Sequence, residues 1–141
     1  MRLDITPFDN ALGQLQTALG HAQSPLAQSD ATIFETFRAG SIQAFEYTYA
    51  LAVKMLRRMI EIASDDREMA NEYDFRDVLR LGHEYGFIRN MKIWFEFREK
   101  RNISSHAYDE NKAAEVYAIL PQFLAEAADL RDRIRQRLER E

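Results

Sequence analysis

Apolar residues recur every three or four positions along most of this chain, which is the spacing of one face of an α-helix. The first run with this spacing begins near Leu3 and ends near Leu19. Gly20 and the Ser24-Pro25 pair follow it, and glycine and proline both disfavour continuation of a helix. The pattern therefore predicts a first helix that ends before these residues.

The second run is longer and continues to about Ala63. Ser29 or Asp30 can cap its start, because the side-chain oxygen of either residue can accept hydrogen bonds from exposed backbone N–H groups. Gly40 lies inside the run and is a candidate boundary between a short opening turn and the main helix. Ser64-Asp65-Asp66 is predicted to form the loop that follows.

Three further helices are predicted in the rest of the chain. A shorter one extends from about Tyr73 to Glu84, and the next extends from about Arg89 to Ile103. Asp109 can cap the last helix, whose apolar face continues to Leu138. Pro121 lies inside this helix and should bend it, because proline removes one backbone hydrogen bond.

The predicted fold is all-α. No segment shows sustained alternation over several β-branched residues, so we predict no sheet. Long helices joined by short polar loops usually close into an antiparallel up-and-down bundle. We therefore predict a four-helix bundle with an additional short helix, built as a single domain of residues 1–141, with Trp94 as an anchor of its core.

The composition argues against several classes of protein. Because the chain has no cysteine, disulfides, thiolate metal sites and cysteine nucleophiles are excluded. The histidines, His21, His83 and His106, lack metal-ligand spacing, so we expect neither a metal nor a cofactor. The N-terminus has no apolar stretch typical of a signal peptide, and no apolar run approaches the roughly 20 residues of a membrane-spanning helix. We therefore expect a soluble, cytoplasmic protein that does not contact membranes.

A net charge of −4 argues against a protein that coats nucleic acid through bulk electrostatics. The positive residues are nevertheless concentrated in residues 89–101 and residues 131–140. We expect the arginines of the second segment to form a solvated face, although they could attract RNA or a partner protein. A local basic site therefore stays compatible with the acidic total.

Residues 98–109 concentrate the side chains that could carry chemistry. Arg101 and His106 are separated by about 140° around an ideal helix. They can converge only if the helix frays near Ser104 or if a second chain completes the site. The polar residues that define the segment are Arg98, Arg101, Asn102, Ser104, Ser105, His106 and Tyr108.

These residue types suit phosphoryl transfer on RNA. Histidine titrates near neutral pH, so it can take a proton from a ribose 2′-hydroxyl or give one to the leaving oxygen. Arginine binds two phosphate oxygens and stabilises the charge that develops on them. Residue types alone nevertheless favour a simpler interpretation, since a polar helix end of this kind is most often a capped, solvated terminus.

Three segments of the chain resemble known families. RNISSHAYDE, which begins at Arg101, resembles the Arg-x4-6-His signature of the HEPN superfamily, and with Tyr108 it resembles the toxin half of HEPN/MNT toxin–antitoxin pairs. FRAGSIQAFEYTYALAVKMLRR from Phe37 and FRDVLRLGHEYGFI from Phe75 resemble nucleotidyltransferase substrate-binding proteins. This resemblance implies a helical bundle that forms a homodimer and acts with a small MNT-type nucleotidyltransferase.

The resemblance also implies roles for individual residues. Arg101 and His106 match the motif that is proposed to cleave RNA without metal, and Tyr108 matches the tyrosine that the partner enzyme adenylylates in some pairs. An adenylyl group there would silence cleavage, because it adds bulk and negative charge where RNA phosphate must lie. Further residues match family positions and are expected to support the site: Asn102, Ser105, Asp109 and Glu110.

Two main functions follow from these observations. The first is a dimeric, metal-independent endoribonuclease of a HEPN/MNT pair, regulated by its nucleotidyltransferase partner. The alternative is a non-catalytic substrate-binding subunit of a two-component nucleotidyltransferase, in which Arg101 and His106 hold a nucleotide phosphate. A weaker third function is a structural dimer. Glu46, Tyr47 and Tyr49 on the second helix are expected to be structural, although they could face the site or a dimer groove.

Overall fold

The computed structural model describes residues 3–64 and 72–140, and every regular element in these ranges is a helix. This confirms the all-α prediction. The predicted loop residues Asp65 and Asp66 lie outside the described residues. The helices are α1 (Thr6–Ala22), α2 (Pro25–Ser29), α3 (Ala31–Ser64), α4 (Phe75–Glu84), α5 (Met91–Ser104) and α6 (Glu110–Glu139).

Helices α1, α3, α5 and α6 form the bundle. Helix α6 packs against the other three, and α1 and α5 also pack against α3. The short helix α4 lies against α3 and α5 and is the additional helix that the sequence predicts. In the described part of the chain, no helix has the length and the apolar character needed to cross a membrane.

An aromatic cluster at the centre of the core connects α3, α5 and α6. Phe123 of α6 is fully buried, and its ring centroid lies 4.8 Å from that of Phe45 and 5.0 Å from that of Phe97, both in edge-on contacts. Trp94, the predicted anchor, is buried and contacts both Phe97 and Phe123 edge-on. Because edge-on aromatic contacts depend on orientation, this cluster fixes α5 relative to α3.

Helix α2 is an element that the sequence pattern does not predict. The Ser24-Pro25 pair begins this helix of five residues: Ser24 caps it by accepting a hydrogen bond from the Ala27 N–H, and Pro25 occupies the first turn. Asp30, rather than Ser29, caps the following helix, since its carboxylate accepts from the Thr32 N–H at 2.9 Å. A single turn carries no apolar periodicity, which explains why the pattern misses it.

Gly40 does not divide the second helix, so that prediction is wrong. Helix α3 passes through it without a break. One glycine in a helix interior costs only about 1 kcal/mol, and burial of Ile42 and Phe45 on the next turn outweighs that cost. Helix α6 likewise continues through the exposed Pro121, whose predicted bend stays a prediction.

Polar caps set the first residue of several helices. Helix α4 begins after Asp74, which accepts a hydrogen bond from the Asp77 N–H at 2.8 Å. Helix α5 begins after Asn90, which accepts from the Ile93 N–H at 3.2 Å. Both helices begin two residues later than the apolar pattern predicts, because capping decides where a helix starts. Helix α1 begins at Thr6 rather than near Leu3, and Pro7 lies in its first turn.

Candidate functional site

Helix α5 ends within the candidate segment, and residues 105–109 form a turn before α6 begins. We call these residues the motif turn. The His106 N–H donates to the carbonyl of Ile103 at 2.9 Å, and the Asp109 N–H donates to the carbonyl of His106 at 3.0 Å. Arg101 therefore lies on the last turn of α5, whereas His106 and Tyr108 lie on the motif turn beyond it.

Arg101 is held by a side chain from another helix. Its Nη1 donates to Glu46 Oε2 of α3 at 3.1 Å and to Ser104 Oγ at 3.2 Å. Ser104 Oγ lies 2.7 Å from the same Glu46 oxygen, to which it donates. Nε and Nη2 of Arg101 make no hydrogen bond among the described residues, and the side chain is 38% exposed. This edge of the guanidinium is therefore available for a phosphate.

The polar residues of α3 point in different directions. Glu46 contacts Arg101, as described above, and Tyr47 donates a hydrogen bond to Gln14 of α1 at 2.5 Å. Burial raises the pKa of Tyr49 to about 12, although the positive charges of Arg98 and Arg101 act to lower it. The Tyr49 phenol is therefore neutral at physiological pH and is not a candidate base.

The motif turn exposes the imidazole and the phenol. His106 Nδ1 lies 3.3 Å from Tyr108 Oη, and the two rings meet edge-on with centroids 5.9 Å apart. Tyr108 is 86% exposed and His106 is also exposed. Proton transfer at the imidazole and modification at the phenol are therefore both sterically accessible.

Arg101 and His106 are not joined by a hydrogen bond in the described chain. Nη1 of Arg101 is bonded to Glu46 and Ser104, whereas His106 contacts Tyr108. The helix ends at Ser104, as convergence of the two residues would require, yet the end of the helix is not accompanied by a hydrogen bond between them. Completion of the site by a second chain stays a prediction.

The structure gives the predicted supporting residues different environments. Asp109 caps α6, since its Oδ1 accepts from the backbone N–H groups of Asn111 and Lys112 at 2.9 and 3.2 Å. Asn102 and Ser105 are exposed, and the Ser105 hydroxyl reaches only the Asn102 carbonyl, at 3.5 Å. Of the two serines in the motif, the buried Ser104 contacts Arg101. A signal for this difference existed, because Ser104 falls seven residues after the buried Phe97 on the same face of α5.

Glu110, the remaining supporting residue, binds Arg38 of α3. Both guanidinium nitrogens donate to its carboxylate, Nη1 at 2.8 Å and Nη2 at 2.6 Å. The hydrogen bonds from Arg38 hold the pKa of Glu110 below its ordinary value. Sequence reasoning missed Arg38, but a signal existed, because Arg38 falls four residues before Ile42 on the apolar face of α3.

A cleft of about 520 Å³ lies between α3 and the motif turn, and we call it the α3–α6 cleft. Arg38 and Glu110 line it together with Glu46, Ser104 and Tyr108. Within the residues that the structure describes, no group of three or more histidine or acidic side chains is arranged to hold a metal ion.

The family described as nucleotidyltransferase substrate binding protein like matches residues 3–136. The chain therefore belongs to this family, as the sequence resemblance predicted. A curated relative from Haemophilus influenzae, named probable ribonuclease HepT, is 40% identical over 103 residues, which cover 73% of this chain and 70% of the relative.

Solved structures show the same fold. One protein from Haemophilus influenzae, described as revealing the fold of a substrate binding domain of a nucleotidyltransferase, aligns with a TM-score of 0.88 and 31% identity over 94% of this chain and 99% of its own. A protein from Thermus thermophilus aligns with a TM-score of 0.65 and 24% identity over 89% of this chain and 98% of its own, which supports the fold alone.

Proposed function

We propose that this chain is a metal-independent HEPN endoribonuclease whose activity is restrained by a small MNT-type nucleotidyltransferase in a toxin–antitoxin pair. The observation that carries the proposal is the restraint of Arg101 by Glu46 and Ser104, which leaves one edge of the guanidinium open on the helix turn that precedes the exposed His106. A 40% identical relative named probable ribonuclease HepT supports it. Because RNA and ATP are cytoplasmic, the proposal locates the chain in the cytoplasm.

In the proposed reaction, the ribose 2′-oxygen attacks the adjacent phosphorus and the bond from phosphorus to the 5′-oxygen breaks. His106 takes the 2′-hydroxyl proton, and an imidazolium returns a proton to the leaving 5′-oxygen. The open edge of Arg101 stabilises charge on the two non-bridging oxygens. The products are a 2′,3′-cyclic phosphate and a free 5′-hydroxyl.

A homodimer would supply both proton transfers at one phosphate. Each chain offers one imidazole in the motif, and a two-fold axis near the motif turn would bring two copies of His106 together. One imidazole would then act as the base while the other acts as the acid. Separation of Arg101 from His106 within a single chain is compatible with such a shared site.

Regulation in this proposal occurs at Tyr108. The exposed phenol oxygen attacks the α-phosphorus of ATP, the bond to the bridging oxygen breaks, pyrophosphate leaves, and the phenol proton passes to a base of the partner enzyme. The new phosphodiester lies next to His106, whose Nδ1 is 3.3 Å from the modified oxygen. RNA is then repelled by the added negative charge.

The test compares cells that express this chain alone with cells that express Arg101→Ala or His106→Ala, and total RNA is examined in parallel. We expect growth arrest and cut RNA with the wild type and neither with the variants. Purified chain should cut RNA in the presence of a chelator. Normal growth with intact RNA for an unmodified, folded wild type would contradict the ribonuclease proposal.

A second function has its own support. Arg101 and His106 share no hydrogen bond in the described chain, and a structure 31% identical to it is described as a substrate binding domain of a nucleotidyltransferase. In this alternative the open edge of Arg101 holds a nucleotide phosphate without cleavage. Binding of the neighbouring nucleotidyltransferase without any RNA cleavage would favour it.

A further inference from the structure

Arg38 is a buried cation whose counter-ion comes from the surface. Its side chain is 9% exposed, whereas that of Glu110 is 68% exposed. A guanidinium buried to this degree needs an anion, because an uncompensated buried charge is strongly destabilising. The anion itself can be exchanged, since Glu110 reaches Arg38 from the solvent side and a phosphate presents two oxygens to the same pair of donors.

Tyr108 shares the α3–α6 cleft with Arg38. It lines the cleft and is 86% exposed, so protein atoms leave room for a group attached to its phenol oxygen. The volume of about 520 Å³ falls within the roughly 300–1,000 Å³ of small-molecule sites. Alkyl groups against which a nucleoside can pack come from Ala39, Ile42, Ala107 and Ala113.

The charges in the cleft favour a tethered phosphate over a free nucleotide. Glu35, Glu46 and Glu110 contribute carboxylates, and Arg38 is the one cation among the described residues that line the cleft. This balance disfavours free ATP, which carries several negative charges. A covalent link to Tyr108 raises the local concentration to about the millimolar range, and the linked phosphodiester has a single charge.

We propose that the α3–α6 cleft receives the adenylyl group of modified Tyr108 and that Arg38 binds its phosphate in place of Glu110. This inference rests on the proposed function, because it requires modification of Tyr108. Glu110 then loses its partner on α3, so the first turn of α6 is no longer tied to that helix. The modification thereby changes the support of the motif turn as well as the local charge.

The test uses the full chain, adenylylated by the neighbouring nucleotidyltransferase with ATP and verified by intact mass. Phosphorus NMR and the rate of adenylyl removal by a phosphodiesterase are compared for the wild type, Arg38→Gln and Arg80→Gln. Arg80→Gln is the matched control, because it removes an exposed arginine of α4 that does not line the cleft and changes the net charge equally. We expect the wild-type resonance to differ from that of the urea-unfolded chain.

In Arg38→Gln the resonance should move towards the unfolded position, and removal should be about tenfold faster, whereas Arg80→Gln should behave as the wild type. If circular dichroism shows that Arg38→Gln is unfolded, Arg38→Lys is used in its place. Its phosphorus resonance should then shift by a smaller amount in the same direction. Identical resonances and identical rates of adenylyl removal in the modified wild type and the modified Arg38 variants would overturn the role of Arg38 and of the cleft, but not the proposed function. No adenylyl group on the wild type would overturn it together with the proposed regulation at Tyr108, while RNA cleavage would still be tested separately.

Discussion

At the scale of single residues, the environment of Arg101 determines what its guanidinium can bind. Glu46 and Ser104 occupy Nη1, so Nε and Nη2 are the nitrogens left for phosphate. We expect Glu46→Gln to lower kcat for RNA cleavage about tenfold, because one charge-assisted hydrogen bond that fixes the guanidinium is replaced by a weaker neutral one. Steady-state kinetics on a short RNA would measure kcat and KM separately.

Glu99→Gln is the control for this prediction. Glu99 is an exposed carboxylate on the same helix as Arg101, so its loss changes the net charge equally without touching the site. We expect kinetics equal to those of the wild type for this variant. Equal kcat values for Glu46→Gln and Glu99→Gln would show that Glu46 does not position Arg101.

The sequence supplied the residue types of this site but not their partners. Arg101 and His106 stand out because the segment is polar and resembles a known motif. The contact between Glu46 and Arg101 joins positions 55 residues apart, and such a contact depends on how α3 and α5 pack. Ser104, unlike Ser105, lies seven residues after Phe97 on the buried face of α5, but its hydrogen bond to Glu46 again depends on how α3 and α5 pack.

At the scale of elements, the pair of Arg38 and Glu110 ties the start of α6 to α3 and should make stability depend on pH. Hydrogen bonds from Arg38 lower the pKa of Glu110 below its ordinary 4.5. The ionised Glu110 carboxylate therefore stabilises the fold fully at pH values above its ordinary pKa. Its contribution to the free energy of unfolding is lost as the pH falls through the lower pKa of the folded state. Thermal unfolding of the wild type and Glu110→Gln, followed from about pH 7 to about pH 2, would measure this contribution.

We expect Glu110→Gln to unfold at a lower temperature than the wild type near neutral pH, and the two midpoints to converge in acid. Other ion pairs also titrate in acid, but they are present in both chains and cancel in the comparison. Glu99→Gln provides the control, because Glu99 is an exposed carboxylate of α5 that does not line the α3–α6 cleft, and it should unfold as the wild type does. A wild-type advantage that persists unchanged to the lowest pH would contradict this account.

The aromatic cluster gives a second prediction at this scale. Phe123 is fully buried and meets Phe45 and Phe97 edge-on. Phe123→Ala should therefore lower the free energy of unfolding by about 3–5 kcal/mol, through lost burial and a residual cavity. Leu26→Ala, at a residue that is 58% exposed, should change it by less than about 0.5 kcal/mol. Urea denaturation of both variants would check the contrast, and similar losses would show that Phe123 does not anchor the core.

Apolar periodicity predicted the long helices because each buries a continuous stripe. The positions that it misplaced are those where no stripe exists. Helix α2 is one short turn that begins at Pro25, and the first residues of α4 and α5 depend on caps from Asp74 and Asn90. Gly40 misled the prediction, because its low helix propensity is outweighed by packing on both sides of it.

At the scale of the whole molecule, the fold class follows from the sequence, whereas the shared site that we propose would require a second copy. The family and the helical bundle are shown by the comparisons. Within one chain, Arg101 bonds to α3 and His106 contacts Tyr108. A surface that pairs two copies has no periodicity of its own, so the sequence could indicate a homodimer only through resemblance.

Mixed dimers test whether two copies of His106 act at one phosphate. Wild-type chains are co-refolded with His106→Ala chains in a ratio of one to nine, and RNA cleavage is measured per total chain. If both imidazoles are required, only dimers of two wild-type chains are active, and activity falls to about one hundredth. If each protomer acts alone, activity falls to about one tenth.

Native mass spectrometry with a mass-tagged variant verifies exchange of chains between dimers, and refolded wild type alone provides the reference. A linear dependence on the wild-type fraction, with exchange verified, would show that one imidazole per site suffices and that the second proton passes through another group or water.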